Sequence, residues 1–294
     1  MNRIPTYPRI SRLHRRRISA PRFAALCLAL IISAAAFVPI ATAAQQNLTP
    51  TGREIERERS RLANGSEEER RDAVTRLGAM RRPDASRAAA PALGDAAPIV
   101  RATAARAVTS LAPDEATRLL LPVLGDKQEF VRRETAYALG LARSPLAVEA
   151  LMIALARDKE SAVRGAAAVA LGQIADARAV SVLSEALGRR VARSGFLNRI
   201  TFRKTEENDF VRRAAAVSLG QIKSRDGVPA LVAALTNERA GDDVRRESAR
   251  ALGLIGDPAA VPALREASAS RDPYLSQIAL EALRKLDPAA ARPA

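Results

Sequence analysis

The chain of 294 residues is basic, with 47 Lys and Arg against 32 Asp and Glu and a formal net charge of +15. Its single Cys and single His, Cys27 and His14, both lie in the first 44 residues. Because residues 45–294 contain neither Cys nor His, they cannot form a disulfide, the usual zinc sites or a Ser-His or Cys-His catalytic pair. We expect no metal, cofactor or catalytic residue in them.

The first 44 residues have the pattern of a secretory signal peptide. Residues 1–22 contain seven Arg and no acidic residue, residues 23–38 are an apolar run, and residues 41–44 supply the small side chains of a cleavage site. We expect export to the periplasm or the cell exterior, with cleavage after Ala43 or Ala44. The alternative is a membrane anchor formed by residues 23–44, although a spanning helix usually needs about 20 apolar residues. Without the seven Arg, the remaining chain has 40 basic and 32 acidic residues, a net charge of +8.

Residues 45–65 are predicted to form a linker and an N-terminal capping helix, because a polar stretch is followed by a charged helical one. Asn64-Gly65 indicates a turn. Ser66 and Glu69 have the spacing of a capping box, in which each side chain binds a free backbone N–H of the other. The first repeat is expected to begin there.

A motif of the form Val-Arg-x-x-x-Ala-x-Ala-Leu-Gly recurs along the chain. It occupies residues 131–140, 163–172 and 244–253, and residues 211–220 with Ser218 in place of the second Ala. The aligned Leu positions are Leu77, Val108, Leu139, Leu171, Leu219, Leu252 and Leu283, with gaps of 31, 31, 32, 48, 33 and 31 residues. A fixed period in this range is typical of a stacked repeat protein.

Each repeat is predicted to be a helix, a tight turn and a second helix. Apolar or small residues follow Val163 with the spacing of a helix that buries one face. A second series keeps the same register at Leu93, Leu124, Leu155, Leu187, Leu235 and Ala267. The predicted fold class is all-α, an α-solenoid of about seven stacked helix pairs, with repeats at 66–187 and 209–288 and a tail at 289–294. The Gly that ends each first helix permits either close helix contact or a left-handed turn.

A recurrent Arg follows the Val of the motif, at Arg101, Arg132, Arg164, Arg212 and Arg245. An acidic residue lies five positions before the Val in three repeats, at Asp95, Asp126 and Asp158. One interpretation is a structural ladder of ion pairs between repeats, and the other is a row of Arg that binds an anionic ligand. We favour the ladder, because stacking alone requires a repeated pair.

The basic insertion, residues 188–208, is where the period is broken by about 16 extra residues. It has a net charge of +4 and contains two Phe. Insertions in repeat proteins often lie on the binding face, and Arg with Phe suits an acidic partner, a lipid headgroup surface or a nucleic-acid backbone. The candidate partner-binding residues are Phe196, Arg199, Phe202, Arg203 and Lys204. The alternative is a solvated loop with no binding role.

Residues 130–140 (Phe-Val-Arg-Arg-Glu-Thr-Ala-Tyr-Ala-Leu-Gly) and 244–264 resemble HEAT repeats, and more narrowly the HEAT-like repeats first named from phycobilisome (PBS) lyases. The resemblance covers about residues 66–286 and implies an armadillo-type fold that most often serves as an interaction scaffold. Some members attach bilin chromophores, and one related group is a di-iron hydroxylase with His-Glu pairs at its iron site. Because residues 45–294 contain no His, the hydroxylase activity is excluded.

We therefore expect an exported, monomeric, non-catalytic scaffold that binds a protein partner of unknown identity. The alternatives are a bilin lyase-like enzyme, or a binder of an anionic polymer or membrane surface through the basic insertion. Nucleic-acid binding is disfavoured, because the chain has no Trp and few aromatic residues to stack on bases.

Overall fold

A computed structural model describes residues 49–192 and 204–287. The chain divides into two compact units, residues 1–54 and residues 55–294. In the first unit the amide of Gly52 donates to the hydroxyl of Thr49 at 3.1 Å, at the start of helix α1 (Pro50–Asn64). The second unit contains the repeats.

The repeats are helix pairs, which confirms the predicted α-solenoid. The first helices are α2 (Glu67–Ala79), α4 (Pro98–Ala107), α6 (Glu129–Ala142), α8 (Ser161–Ile174), α10 (Asp209–Ile222), α12 (Asp242–Ile255) and α14 (Pro273–Leu286). The second helices are α3 (Pro83–Ala89), α5 (Pro113–Leu120), α7 (Val148–Arg157), α9 (Val180–Gly188), α11 (Val228–Thr236) and α13 (Val261–Ser268). Six first helices are thus followed by a second helix, and α14 is the last element in the described part of the chain.

Short 3-10 turns and polar caps set the boundaries of the helices. The turns are Ala90–Gly94, Val108–Ser110, Leu121–Gly125, Pro145–Ala147, Ala177–Ala179, Arg225–Gly227 and Pro258–Ala260. The predicted capping box is present at α2, where Glu69 accepts from the Ser66 amide at 2.8 Å and Ser66 accepts from the Glu69 amide at 3.4 Å. Asp176 and Asp257 each accept the amide two residues later, which caps the 3-10 turn that precedes the second helix of their repeat.

The basic insertion begins and ends as a β-hairpin stem. Strand β1 (Arg190–Ala192) pairs antiparallel with strand β2 (Lys204–Glu206), with Arg190 opposite Glu206 and Ala192 opposite Lys204. These are the only strands among the described residues, and they are the one departure there from the predicted all-α class.

The core of the stack consists of Leu, Val and Ala from both helices of each repeat. The aligned Leu positions of the motif, Leu77 through Leu283, are at most 1% exposed. Successive first helices pack against one another along the whole series, and α8 packs on α10 across the insertion. The insertion therefore leaves the stack continuous. Among the described residues, no helix has both the length and the apolar character needed to cross a membrane.

The Gly near the end of five first helices serves close contact with the next repeat, at Gly78, Gly140, Gly172, Gly220 and Gly253. A Cβ at Gly140 would lie 2.7 Å from Cα of Ala170, and a Cβ at Gly220 would lie 3.0 Å from Cα of Ala251. None of these glycines has a positive φ. The left-handed residue lies three positions later in each case, at Arg81, Arg143, Ala175, Lys223 or Gly256.

Candidate functional site

The recurrent Arg side chains hold the acidic residue that precedes the next first helix. Arg101 donates to Asp126 from Nε at 2.7 Å and from Nη2 at 2.9 Å, and Arg132 binds Asp158 with the same two distances. Arg70 binds Asp95 in the same way at 2.7 and 2.8 Å, although its repeat lacks the Val of the motif. Each Asp also accepts a backbone N–H, so that every carboxylate both joins two repeats and caps a turn.

The hydrogen bonds from Arg lower the pKa values of Asp95 and Asp126, against the opposing effect of burial. The guanidinium groups are correspondingly occupied. The side chains of Arg70, Arg101 and Arg132 are 21, 16 and 9% exposed, and each makes a two-point contact with a carboxylate. Such groups are not free to bind an anionic ligand.

Two of the predicted ladder residues depart from this pattern. Nε of Arg212 donates to the carbonyl of Leu187, and Nε of Arg245 donates to the carbonyl of Leu235, both at 3.0 Å. Arg212 also lies 3.7 Å from Asp209, an acidic residue of its own helix. The prediction of an Arg245 ion pair in the ladder is wrong, because Arg246 binds Asp272 at 2.8 Å instead. Asp272 lies three residues before Leu275, the first buried residue of α14, whereas the Asp residues of the earlier repeats lie five residues before the Val. Its carboxylate therefore contacts the guanidinium of Arg246, the residue after Arg245.

Arg164 pairs with Glu207, which directly follows β2. Nη2 and Nε of Arg164 donate to the two carboxylate oxygens at 2.6 and 2.8 Å. The base of the hairpin is held at a second point by Arg189, which donates to the carbonyls of Leu155 and Ala156 at 3.3 and 2.5 Å and so satisfies the end of α7. The amide of Glu207 also donates to the carbonyl of Arg189 at 2.8 Å.

The residues predicted to bind a partner in the insertion are Phe196, Arg199, Phe202, Arg203 and Lys204. Phe196, Arg199, Phe202 and Arg203 lie outside the described residues, and Lys204 is the first residue of β2. Their binding role stays a prediction.

A groove of about 820 Å³ lies on the side of the stack formed by the first helices α2, α4 and α6. We call it the first-helix groove. Its lining comes from these helices and from residues next to their ends, and it includes the small residues Gly78 and Ala107. Ile99 and Leu141 also line it and are 40 and 58% exposed. The first helices therefore form a hollow face of the stack at these repeats.

The charge of the first-helix groove is mainly positive. Arg133 lies 3.4 Å from the carboxylate of Glu134, also in the lining, and 3.7 Å from Glu129. The guanidinium groups of Arg81 and Arg106 are in the lining as well and have no hydrogen bond or ion pair with any residue that the structure describes. The groove thus offers two unpaired cations beside exposed apolar side chains.

The aromatic residues that the structure describes all lie on first helices. They are Phe130, Tyr137, Phe210 and Tyr274. The Phe210 ring covers Gly165 of α8, in the space that a Cβ would fill, and the guanidinium carbon of Arg246 lies 5.2 Å from the Tyr274 ring centroid. Phe210 and Tyr274, which stand directly before the Val position of the motif, thus each contact the preceding first helix.

Sequence reasoning missed the first-helix groove, although the sequence contains a signal for it. The residue before the Val position is large and apolar or aromatic in four repeats, at Ile99, Phe130, Phe210 and Tyr274. A solvated helix start would normally be polar there. In the described ranges, no cluster of three or more His, Cys, Asp or Glu is arranged to hold a metal ion.

Comparisons with known proteins place the repeats in a sequence family. The profile described as HEAT repeats matches residues 59–140, 118–194 and 200–285. A search of the curated proteins finds no significant match.

Several solved structures are similar to the chain at low identity. Human deoxyhypusine hydroxylase in complex with glycerol is 19% identical, with a TM-score of 0.38, and the alignment covers 85% of this chain and 99% of that one. The complex of CpcE and CpcF of phycocyanin lyase from Nostoc sp. PCC7120 is 23% identical, with a TM-score of 0.48 and coverage of 82 and 87%. A designed armadillo repeat protein is 16% identical, with a TM-score of 0.40 and coverage of 79 and 100%. Similarities at this level carry no argument about activity.

Proposed function

Since the chain belongs to the HEAT-repeat family, we propose that it is a scaffold that binds a protein partner along the face formed by its first helices. One observation carries the proposal. Of the eight exposed large hydrophobic residues in the described ranges, five lie on first helices: Ile99, Leu141, Phe210, Leu254 and Tyr274. Exposed apolar side chains gathered on one face are typical of an interaction surface.

The side chains of this face also suit a protein partner. Aromatic residues and Arg are enriched in the centres of protein interfaces, where they account for much of the binding energy. The central helices α8 and α10 contribute Val169 and Val217 to the same face, and both residues are partly buried. Because the repeats stack, this face continues over many helices, which favours an extended partner surface.

The proposal includes export and the absence of catalysis. Export is supported by the basic start, apolar run and small-residue site in residues 1–44. A non-catalytic role is supported by the lack of Cys and His in residues 45–294, which removes the common nucleophile and base pairs.

Site-specific photo-crosslinking tests the proposed binding face. A photoreactive phenylalanine analogue is introduced into the full chain at Leu141 or Leu254 on first helices, and at Leu119 or Ile153 on second helices as matched exposed controls. We expect an adduct of one defined mass from the first-helix positions alone. Equal yields from the second-helix positions, or none from Leu141 and Leu254, would contradict the proposal.

The basic insertion is proposed as a further contact with the same partner. The stem supports this idea, because Glu207 and Arg189 hold both ends of the hairpin against the stack. A variant with Ala at Phe196, Arg199, Phe202 and Arg203 should recover less partner in a pull-down than the unchanged protein. Equal recovery would remove the insertion from the interface and leave the first-helix face in place.

A further inference from the structure

We propose that the first-helix groove binds an extended peptide segment in which carboxylate side chains alternate with apolar ones. This inference rests on the proposed function and names the chemistry of the partner segment. It follows from how the apolar and the cationic side chains of the groove are arranged.

The apolar part of the groove is held in place by the stack beneath it. Phe130 is partly buried and packs on a cluster formed by Ala102, Val123 and Val131. Ile99 and Leu141 stand beside it with 40 and 58% of their surface exposed. Apolar side chains of a bound segment would cover these two residues and remove their surface from water, which is the main favourable term in association.

The cationic part is selective, because most Arg residues of α2, α4 and α6 already have an acidic partner. Arg70, Arg101 and Arg132 make two-point contacts with Asp, and Arg71 and Arg76 lie 3.2 and 3.5 Å from a carboxylate oxygen. Arg81 and Arg106 are the groove-lining guanidinium groups without such a partner among the described residues. A carboxylate of the bound segment supplies the planar acceptor that a guanidinium binds with two parallel hydrogen bonds.

The shape favours a peptide over other anionic partners. A hollow across three helices admits a chain segment, whereas a membrane surface would have to bend into it. Single-stranded nucleic acid needs exposed rings on which bases stack, and Phe130, the aromatic residue in the lining, is partly buried. Neighbouring helix axes lie about 8–10 Å apart, so the groove crosses about 20 Å. An extended chain advances about 3.3 Å per residue, so about six residues fill it.

Fluorescence anisotropy with two labelled peptides tests the inference on the full chain. The first probe is Gly-Ser-Glu-Leu-Gly-Glu-Leu-Gly-Glu-Leu-Ser-Gly, and the second has Lys in place of each Glu. We expect the acidic probe to bind at least tenfold more tightly than the basic one. The double variant Arg81→Gln with Arg106→Gln should weaken the acidic probe at least tenfold.

Matched controls separate the groove from general charge and apolar effects. The double variant Arg118→Gln with Arg157→Gln makes the same charge change at exposed positions on second helices and should leave the Kd within about twofold. Ile99→Ser should weaken binding, whereas Ile153→Ser, on α7 and 50% exposed, should not. Circular dichroism of each variant checks that the stack remains folded.

Several results would overturn the inference. They are equal binding of the two probes, an unchanged Kd in the Arg81 and Arg106 variant, and equal losses in the second-helix variant. If crosslinks still form at Leu141, such a result leaves the proposed function intact and removes only the acidic peptide. If anionic phosphatidylglycerol vesicles or oligo-dT bind through Arg81 and Arg106 while neither peptide does, the ligand is a membrane surface or a nucleic acid instead.

Discussion

Arg164 of α8 and Glu207 at the end of the hairpin stem form a buried two-point ion pair across 43 residues of sequence. Their side chains are 11 and 1% exposed, and the oxygens of Glu207 lie 2.6 and 2.8 Å from the guanidinium nitrogens. In the preceding repeats an Asp occupies the corresponding place. Glu207 therefore joins the basic insertion to the same ladder that links the other repeats.

Removing the carboxylate of Glu207 should destabilise the centre of the stack. The Glu207→Gln variant leaves Arg164 buried without its counter-charge, and breaking a buried pair in this way typically costs about 3–5 kcal/mol. We expect a loss of about 3 kcal/mol in urea unfolding monitored by circular dichroism. Hydrogen exchange should become faster first in α8 and α10, because these helices flank the pair.

The control is an Arg–Glu pair of the same geometry on the surface. Arg87 donates to Glu115 at 2.8 and 3.0 Å, but the two side chains are 59 and 36% exposed. Solvent screens this pair, so Glu115→Gln should have a much smaller effect on unfolding. Equal losses in the two variants would show that burial does not govern the strength of the ladder.

The repeat register was predictable because burial leaves a periodic pattern in the sequence. The aligned Leu positions had to be apolar, and the Gly near the end of five first helices had to be small against the next helix. The partners of Arg101 and Arg132 were also accessible, because Asp126 and Asp158 recur at a constant offset. Local constraints that repeat in every unit can be recognised without coordinates.

Contacts that differ between repeats were not predictable in the same way. Glu207 is a different residue at a different offset, and the choice between Arg245 and Arg246 depends on where Asp272 lies in space. The first-helix groove is made of exposed residues, which the core pattern does not constrain. The stack could thus be read from the sequence, but its surface required the structure.

The ladder should make the stability of the protein sensitive to acid. Hydrogen bonds from Arg101 lower the pKa of Asp126 below its ordinary value of about 3.9. The unfolded chain then binds more protons than the folded one on acidification, so the stabilisation is full above about pH 4 and is lost as the pH falls through the lowered pKa. Urea midpoints should be level from pH 8 to 5 and should decline below pH 4.

The Asp126→Asn variant identifies the source of this acid sensitivity. It lacks the titrating group, so it should be less stable at neutral pH and should show a shallower decline below pH 4. Parallel declines in the variant and the unchanged protein would mean that other carboxylates account for the effect.

Adding a methyl group at Gly140 should loosen the contact between α6 and α8. The new Cβ would lie 2.7 Å from the backbone of Ala170, and overpacking of this kind costs about 1–3 kcal/mol. The higher helix propensity of Ala offsets about 1 kcal/mol. We therefore expect Gly140→Ala to lower the free energy of unfolding by about 1 kcal/mol.

Gly188→Ala provides the comparison for Gly140→Ala. A Cβ at Gly188 would meet no atom within 4 Å. The variant should be neutral or slightly more stable in the same urea experiment. A loss as large as that at Gly140 would indicate that helix contact is not the reason for the recurrent Gly.

Export predicts a shortened chain in the cell. If the first 44 residues are a signal peptide, the N-terminus of the protein isolated from the periplasm or the medium should be Ala44 or Gln45. N-terminal sequencing by mass spectrometry measures it directly. A chain that retains Met1 and fractionates with membranes would support the anchor alternative and contradict cleavage.

Replacing Ala175 with Gly should stabilise the protein slightly. Ala175 directly follows α8 and has φ of 60° and ψ of 35°, a left-handed conformation that costs an L-residue roughly 1–2 kcal/mol. Gly removes this strain but gains freedom in the unfolded chain, so Ala175→Gly should stabilise the protein by about 0.5 kcal/mol. Gly256 occupies the same place after α12 with φ of 78°, and Gly256→Ala should therefore destabilise it. Opposite signs in urea unfolding are expected, because the strain depends on the backbone conformation that the two positions share.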